Sequence, residues 1–496
     1  MFRIPGTGII IFRNGGSRGG GSYDAEKIPG DLSTWNILSS DSNEILTNTY
    51  GTLVKRSATL YHTYPLVRAA INKQTEYAIG PGLIFRSQPD HYMIPSLDKN
   101  SAQDWGKQFQ KIVHYYFQKF GFYETQQVMF RGSLTIGDSL LYLNREKGML
   151  DDLIEFSGDQ IAWEYNADNY TLGVKHDGML RPRGVRLING KDFSFRNQKT
   201  KDVQLIHYFQ KEQPRQLRGY PLAYAVINLA KNDDRHTDAA VQRAVMESIL
   251  IGSYETDSSN PRMQVENMVG ANLKKQAGGA NAPTAGAGLL RRIGNAFGLG
   301  AGNMFTFKKG EKINFTDLKT PNAFFQSFKD VMTEYVGAAT GTPPEVVKSK
   351  YSTSYTAHRG ALNDFRKSYM TKRSCFARGT LQPVIKEILK DAVLNGYIEA
   401  PGIFQNDMLL ESYTQGNFLG PIPGSINPLQ EVNAAKTAVE EAFRLRSDVS
   451  AEYGNEWDNF IQEWHDEQDS FRGDQASEKI FEEENNREPE VVDENN

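Results

Sequence analysis

Thr342-Pro343-Pro344 ends one helical stretch and forbids its direct continuation into the next. Proline lacks an amide proton, fixes its own φ, and pushes the residue before it out of helical conformation. Upstream, Phe324, Phe328, Val331 and Tyr335 recur at helical spacing, which predicts a helix from about Asn322 to Val336, stopped by Gly337 and Gly341. Downstream, Tyr355, His358, Leu362, Phe365 and Tyr369 predict a very long helix from about Ser354, bent or broken at Gly379 and Pro383 before Val384 to Leu394. Forty helical residues span roughly 60 Å. Glu345 to Thr353 reads as a short loop between them. Any fold of this chain must accommodate a helix, a hard stop, a short loop and a helix longer than an ordinary small domain.

The rest of the chain mixes helix with strand. Asn14 to Ser22 is Gly/Ser/Arg-rich and reads as a flexible arm. Leu66 to Ile79 is predicted helical and stops at Gly80-Pro81-Gly82, with a strand at Leu83-Ile84-Phe85. Ala102 to Phe120 is amphipathic through Trp105, Phe109, Ile112 and Tyr116. Residues 150–215 are β-rich, with turn signals at Asp177-Gly178 and Asn189-Gly190. A long helix follows, with apolar stripes at Leu222, Val226, Leu229 and at Val241, Val245, Ile249. Between the stripes, Lys231 to Asp238 is polar all round, so that section is either wetted or packed through polar contacts.

From about Gly252 to Thr320 the composition changes: Ala271 to Asn303 is dominated by Gly and Ala. Residues 271–312 hold 7 basic and 1 acidic side chain, among them Lys274, Lys275, Arg291 and Arg292. Met304 to Phe307 and Ile313 to Phe315 read as short strands around a turn at Lys309-Gly310-Glu311. A small basic module thus stands between two helices. Gly420-Pro-Ile-Pro-Gly424 leads to a predicted helix from about Pro428 to Arg446, and the acidic end is read as partly helical to Asp469. The chain is α+β, with 496 residues and 39% hydrophobic content sufficient for several compact domains.

Charge is unevenly spread. Residues 451–496 carry 16 acidic and 3 basic side chains, a net of −13; with the whole chain at −4, the first 450 residues carry +9. A basic body suits a polyanionic partner, and an acidic tail is equally a solvating disordered end. The segment from Thr342 to Gly379 has 8 basic residues (Lys348, Lys350, Arg359, Arg366, Lys367, Lys372, Arg373, Arg378) against 2 acidic ones. Basic residues interleaved with aromatics suit a phosphate backbone. The helix arginines Arg359 and Arg366 serve equally well as partners for acids on a neighbouring subunit.

Motifs for chemistry are missing from the sequence. There is no Gly-x-x-x-x-Gly-Lys-Ser/Thr phosphate loop, no His-Glu-x-x-His, and no Gly-x-Ser-x-Gly elbow. The histidines are never at zinc-ligand spacing. No catalytic, cofactor-binding or metal residue is assigned. The single cysteine, Cys375, cannot form an internal disulfide and is read as an inert packed thiol. Ile9 to Phe12 is too short for a signal-peptide core or a bilayer span, and no other run approaches ~18 apolar residues. The expectation is a soluble protein made in the cytoplasm, with no membrane partner.

Ser352-Thr-Ser-Tyr-Thr-Ala-His-Arg-Gly-Ala-Leu-Asn-Asp-Phe-Arg366 resembles the signature of the lambda-like family of tailed-bacteriophage portal proteins, a Tyr-Ser-Ser-x-Arg pattern with a second Arg downstream. Other stretches agree in order. Gly173-Val-Lys-His-Asp-Gly178 with Arg181-Pro182 resembles the family's Gly-to-Gly-Arg-Pro hairpin. His207-Tyr-Phe with Gln216-Leu-Arg-Gly-Tyr-Pro221 resembles the entry to its first long helix. Lys309-Gly-Glu-Lys-Ile-Asn-Phe315 resembles its Pro-Gly-Glu turn. Ile426-Asn-Pro428 with Glu431, Val432 and Ala434 resembles a further family motif, although Asn427 and Gln430 replace the usual Asp and Lys. The similarity runs from about residue 55 to 465, and the Gly/Ala-rich insert departs from it.

The resemblance implies a homo-oligomeric ring, usually of twelve subunits, at one capsid vertex of a virion, through which double-stranded DNA passes without sequence preference. Residues 1–45 would be a flexible N-terminal arm and 46–215 an α+β wing. Residues 216–251 and 321–341 would be two stem helices flanking a small clip at 252–320. Residues 342–353 would be the tunnel loop, with Lys348, Ser349, Lys350 and Tyr351 as DNA-channel contacts. Residues 354–424 would be the long kinked helix and the return to the wing, 425–470 a helical crown, and 471–496 an acidic disordered tail. Lys274, Lys275, Arg291 and Arg292 would meet partners at the clip, and Arg359 and Arg366 would contact neighbouring subunits. Implied partners are the packaging terminase, head-completion and neck proteins, the major capsid protein and the scaffolding protein. A connector of the head or neck, or less favourably a DNA-acting enzyme, is the alternative reading.

Overall fold

The computed structural model describes residues 41–249, 253–256, 305–308, 325–351, 355–421 and 428–452, the short strands Phe2–Arg3 and Ile10–Ile11, and single helical positions between 457 and 468. In chain order, β1 (Phe2–Arg3) pairs antiparallel with β2 (Ile10–Ile11). Helix α1 spans Ser42–Thr63, capped by the Asp41 carboxylate, which accepts from the Asn43 amide at 2.9 Å. Pro65 holds Tyr64 extended and opens α2 (Pro65–Ala78) at its first turn, so one helical run becomes two. Strand β3 (Ile84–Ser87) follows, then α3 (Lys99–Lys119) and α4 (Phe122–Thr135), separated by Gly121 at φ 60°.

Strands β4 (Asp138–Glu146) and β5 (Met149–Ser157) form a hairpin whose turn residues Lys147 and Gly148 both take positive φ, matching the right-handed strand twist. Next come β6 (Tyr170–Thr171), β7 (Val174–His176), β8 (Pro182–Arg186) and β9 (Asp192–Ser194), an antiparallel sheet in that spatial order. Strand β10 (Leu205–Phe209) returns to the far side of β4, giving the order β10-β4-β5.

Helix α5 spans Ile227–Ile249. It begins later than the stripe at Leu222 predicts, because residues 224–226 form a 3-10 turn and the chain before it is held in the core. Strand β11 (Ser253–Thr256) pairs in parallel with β12 (Phe305–Lys308). The expected strand at Ile313 to Phe315 and the turn at Lys309-Gly310-Glu311 lie outside the described residues, as do Lys274, Lys275, Arg291 and Arg292.

Helix α6 (Phe325–Thr340) runs past Gly337, where a stop was expected. A Cβ at Gly337 would come within 2.8 Å of the Thr342 carbonyl oxygen, so the glycine serves close approach and not termination. The inward face also differs from the predicted stripe: Met332, Thr333 and Val336 are buried, whereas Val331 and Tyr335 are exposed. The expected loop from Glu345 to Thr353 contains a helical turn, α7 (Pro344–Lys348). Pro344 is pre-set for a first helical position, and the Val346 and Val347 amides both donate to the Pro343 carbonyl at 3.0 Å.

Helix α8 (Tyr355–Phe376) passes through a π-helical turn at Ala377–Leu381 into α9 (Gln382–Leu394). The expected break is therefore a widened turn. Pro383 has no amide proton for the Gly379 carbonyl and its ring would crowd it; one wider turn absorbs both problems. Gly379 lies against the Tyr208 ring, 3.3 Å from where its Cβ would be. Helix α10 (Asp407–Tyr413) leads to β13 (Gly416–Leu419), which pairs antiparallel with β3 and ties the chain back to its beginning. The predicted helix from Pro428 to Arg446 is two helices, α11 (Pro428–Glu440) and α12 (Arg446–Glu452), with Ala442 at φ 58° between them.

One large core joins α2, α3, α4, β4, β5, α8 and α9. Within it the α9 face of Val384, Ile385, Ile388, Leu389 and Ala392 is fully buried. A second cluster sits between β4 and the β6–β9 sheet, through Leu140, Val174 and Val185. Cys375, expected to be packed, is exposed on α8.

Candidate DNA-contact segment

A buried polar centre fixes the body from which the segment is hung. Arg218 and Asp138 are both fully buried. Arg218 Nε donates to Asp138 Oδ2 at 2.8 Å, Nη1 to the Leu172 carbonyl at 3.0 Å, and Nη2 to the Gly158 carbonyl at 2.8 Å and to the Tyr50 hydroxyl. Asp138 also accepts from Tyr50 Oη at 3.0 Å and the Gly219 amide at 2.9 Å, and His207 Nε2 lies 3.0 Å from Oδ1. Burial alone would raise the Asp138 carboxyl; Arg218, His207 and the Gly219 amide outweigh it and hold it at about 2. Gln216 Oε1 accepts from the amides of Glu212 and Gln213, and its Nε2 donates to the Arg218 carbonyl at 2.7 Å. A Cβ on Gly219 would sit 2.1 Å from the Gly137 oxygen. The stretch Gln216-Leu-Arg-Gly219 is thus read, residue by residue, as a structural knot at the root of α5.

From that root, α5 and α6 pack together. The His236 ring stacks on Phe325 at 5.8 Å and lies 4.4 Å from Phe328. Lys329 Nζ donates to Asp233 Oδ2 at 2.7 Å, and Tyr64 Oη donates to the same oxygen at 2.7 Å. The polar section of α5 is therefore packed through polar contacts at Asp233, which is buried.

The segment after α6 is tightly built. Gly341 takes φ 70°, and the Thr342 amide donates back to the Gly337 carbonyl at 3.1 Å, a helix-closing bond. Val346 and Val347 bury themselves in the large core against α2. Ser349 ends α7 at φ 50°, and the Lys350 amide donates to the Glu345 carbonyl at 3.2 Å. Lys348 turns back: its ammonium donates to Asp330 on α6, and that contact is the main cause holding the Asp330 carboxyl below its ordinary range. Ser349, Lys350 and Tyr351 are exposed, with the Tyr351 ring 4.5 Å from His358. Of the four residues expected to contact DNA, three share an outward tip and Lys348 is folded against α6.

Several basic residues of α8 have structural duties that spacing did not reveal. Arg373 Nε donates to the Ala78 carbonyl at 2.7 Å and Nη2 to those of Tyr77 at 2.8 Å and Pro421 at 3.1 Å, satisfying the open C-terminus of α2. Lys372 Nζ donates to Gln74 Oε1 at 2.5 Å, and Gln74 Nε2 donates to Thr342 Oγ1 at 3.0 Å and to the Thr340 carbonyl. Gln74 thus links α8 to the α6–α7 junction, and nothing in the sequence singled it out. Arg359 is exposed on the second turn of α8, and Arg366 is partly buried.

Burial pushes the Lys372 ammonium down to about 8. For a base with a depressed folded value, the buried charge weighs on the native state below pH 8. That burden lifts as pH rises from about 8 toward the ordinary lysine value of 10.5, because the native state releases its proton first. The urea midpoint of the unaltered chain, measured relative to Lys372→Met, is expected to rise over that window. A pH-independent difference would show that Lys372 stays charged in the folded protein.

The model of the lambda family of phage portal proteins matches residues 29–373. The chain belongs to that family. The match takes in everything from α1 to most of α8, including the Arg218 knot and the Lys348–Tyr351 tip. No curated protein matches the sequence. Among solved structures, the chain is similar to a component of the virion of a native gene transfer agent particle, at 13% identity and TM-score 0.37, covering 82% of this chain and 93% of that one. A component of the neck of the native particle, computed with C12 symmetry, gives 13% identity and TM-score 0.36 over 84% and 95%. One from the neck of the empty particle, computed with C6 symmetry, gives 14% and 0.37 over 80% and 93%. A portal protein is a structural component of the virus particle at a capsid vertex. Among the described residues no helix is long and apolar enough to cross a membrane.

Proposed function

We propose that this portal protein closes into a homo-oligomeric ring of twelve copies, with Ser349, Lys350 and Tyr351 of each copy facing a channel for double-stranded DNA. The supporting observation is the build of the tip: three exposed residues stand on a helical turn anchored by buried Val346 and Val347. A short, anchored tip presents one ammonium per subunit at a fixed place, and ring symmetry multiplies a weak contact. Non-specific phosphate contacts are electrostatic and salt-sensitive, and they let a protein slide along DNA. A DNA channel requires that combination, since tight binding would stall translocation.

In the same reading, α5 and α6 are the stem. The exposed apolar residues Val241, Val331 and Tyr335 on them are surface for a neighbouring copy. The basic module at 252–320, with Lys274, Lys275, Arg291 and Arg292, is the clip that meets the terminase and later the neck proteins. Residues 46–215 and the α8–α9 rod form the wing, toward the major capsid and scaffolding proteins, and α11 with α12 belongs to the crown. Head-to-tail contacts that repeat around an axis close into a ring. Negative-stain microscopy of the purified chain is the test. Rings with a central hole are expected; a field of monomers or two-fold dimers rejects the reading.

A further inference from the structure

The N-terminal arm has two parts of different composition. Asn14 to Ser22 is Gly, Ser and Arg, whereas Leu32, Trp35, Ile37 and Leu38 fall within seven residues. Such apolar density is not that of a linker, and side chains of that size gain free energy by leaving water. The family match begins at residue 29, so it takes in this second part and leaves the Gly/Ser-rich part outside. The arm leads into Asp41, where the large described body begins.

A groove of about 640 Å³ lies beside that entry point. One wall is a face of α1, through Ile45 and Leu53; the other is the root of α5, through Tyr220, Tyr224 and Ile227. The Tyr220 and Tyr224 rings stand 5.1 Å apart, and Tyr224 is 43% exposed. Pockets of roughly 300–1,000 Å³ with mostly apolar walls are the kind that take up ligands. The groove reaches the start of α1. Gln213, which lines it, accepts from the Ser42 amide at 3.0 Å, and the Tyr220 hydroxyl donates to the Ser42 carbonyl at 3.5 Å. Ser42 is only 1% exposed, yet its own hydroxyl makes no hydrogen bond. A buried hydroxyl without a partner costs stability, and the residues just before Asp41 are tethered closely enough to supply one.

The arm is long enough to fill the groove. Leu38 lies four residues before Ser42 and Trp35 seven, reaches of roughly 14 Å and 24 Å when extended. The α1 wall from Ile45 to Arg56 is roughly 16 Å long at the helical rise. Doubling back beside α1 therefore brings these side chains to any part of the groove, with no second copy required. Tethering also favours this occupant, because a segment on a short leash meets its site at an effective concentration of about millimolar.

We infer that Trp35, Ile37 and Leu38 dock in this groove of their own chain and staple α1 to the root of α5. The inference stands independently of the ring reading. The docked stretch covers Gln213 and Tyr220, which flank the Arg218 knot, so the arm bears on the root from which α5 rises.

The test uses the full-length chain carrying Cys375→Ser and one new thiol in the groove. Asn228→Cys places it on the α5 wall and Thr49→Cys on the α1 wall; both positions are exposed, so the fold tolerates the change. Alkylation by iodoacetamide is measured with and without the pair Trp35→Ser and Leu38→Ser. Removing the apolar pair is expected to raise the rate about tenfold or more at both positions. In a second experiment Leu38→Cys is combined with Asn228→Cys and treated with a short bis-maleimide, at a dilution where the chain is monomeric. A link within one chain, read by mass spectrometry, is expected. A link found only between chains gives the groove to the arm of another copy and overturns the inference. Alkylation rates indifferent to Trp35 and Leu38, or no link of either kind, overturn it as well.

Discussion

Arg218→Met is expected to lower the free energy of unfolding of the unassembled chain by about 3–5 kcal/mol, the range for removing one member of a buried ion pair. The size follows from what is left behind. Asp138 would stay fully buried with its strongest partner gone, and the Leu172 and Gly158 carbonyls and the Tyr50 hydroxyl would each lose a donor. Methionine matches much of the volume, so the loss reports the charge and hydrogen bonds and not a cavity. Changing Asp138→Leu as well should recover part of the loss, because no unpaired charge then remains. A urea titration followed by circular dichroism measures both variants. The pH dependence gives a second readout. A carboxyl held at about 2 when folded stabilises fully above its ordinary value of 3.8, and that stability drains away as pH falls toward 2. Without Arg218 the depression weakens, so the acid unfolding transition of the variant should move to higher pH. An unchanged transition and a loss below about 1 kcal/mol, the net worth of an ordinary hydrogen bond, would mean that the pair is not the anchor described.

The sequence made the helices legible and their junctions much less so. Apolar spacing located α2, α3, α6 and α8 because period 3.6 survives whatever the helix packs against. It misread the face of α6: Val331 and Tyr335 carry the stripe, but Met332 and Val336 face the interior of the single chain. A stripe marks surface to be covered, and it does not say whether the same chain or another copy covers it. The π turn at Ala377–Leu381 was foreshadowed by Gly379 and Pro383, yet those residues could not distinguish a break from a widened turn. The tip was legible as a basic segment, but the division of labour within it was not. Lys348 and Lys350 are two residues apart and alike in the sequence; only the fold shows that one reaches Asp330 and the other does not. The Arg218 knot shows in the sequence only as the resemblance carried by Gln216-Leu-Arg-Gly219, whose physical content depends on Asp138, 80 residues earlier. Such pairings have no local signal.

Lys350→Glu is expected to cut the yield of DNA-filled particles by about tenfold or more while rings still assemble. Each subunit would exchange a positive tip for a negative one. In the proposed ring the change is repeated in every copy, and a contact with phosphate is electrostatic. Lys350 makes no ion pair among the described residues, so its loss leaves the fold of α7 intact. Lys348→Glu should fail differently. It would set a glutamate against Asp330, remove a contact that ties α7 to α6, and disturb assembly or stability before DNA transport is tested. Counting filled capsids in a packaging reaction, alongside ring counts by microscopy, separates the two. An electrostatic contact of Lys350 with phosphate would weaken with salt, so raising salt should narrow the gap between Lys350→Glu and the unaltered chain, whereas an assembly defect in Lys348→Glu should persist. If Lys348→Glu packages as poorly as Lys350→Glu with rings intact, Lys348 leaves Asp330 in the assembled ring and reaches the channel. If Lys350→Glu packages normally, the tip does not face DNA, and the channel wall must be sought elsewhere on the stem.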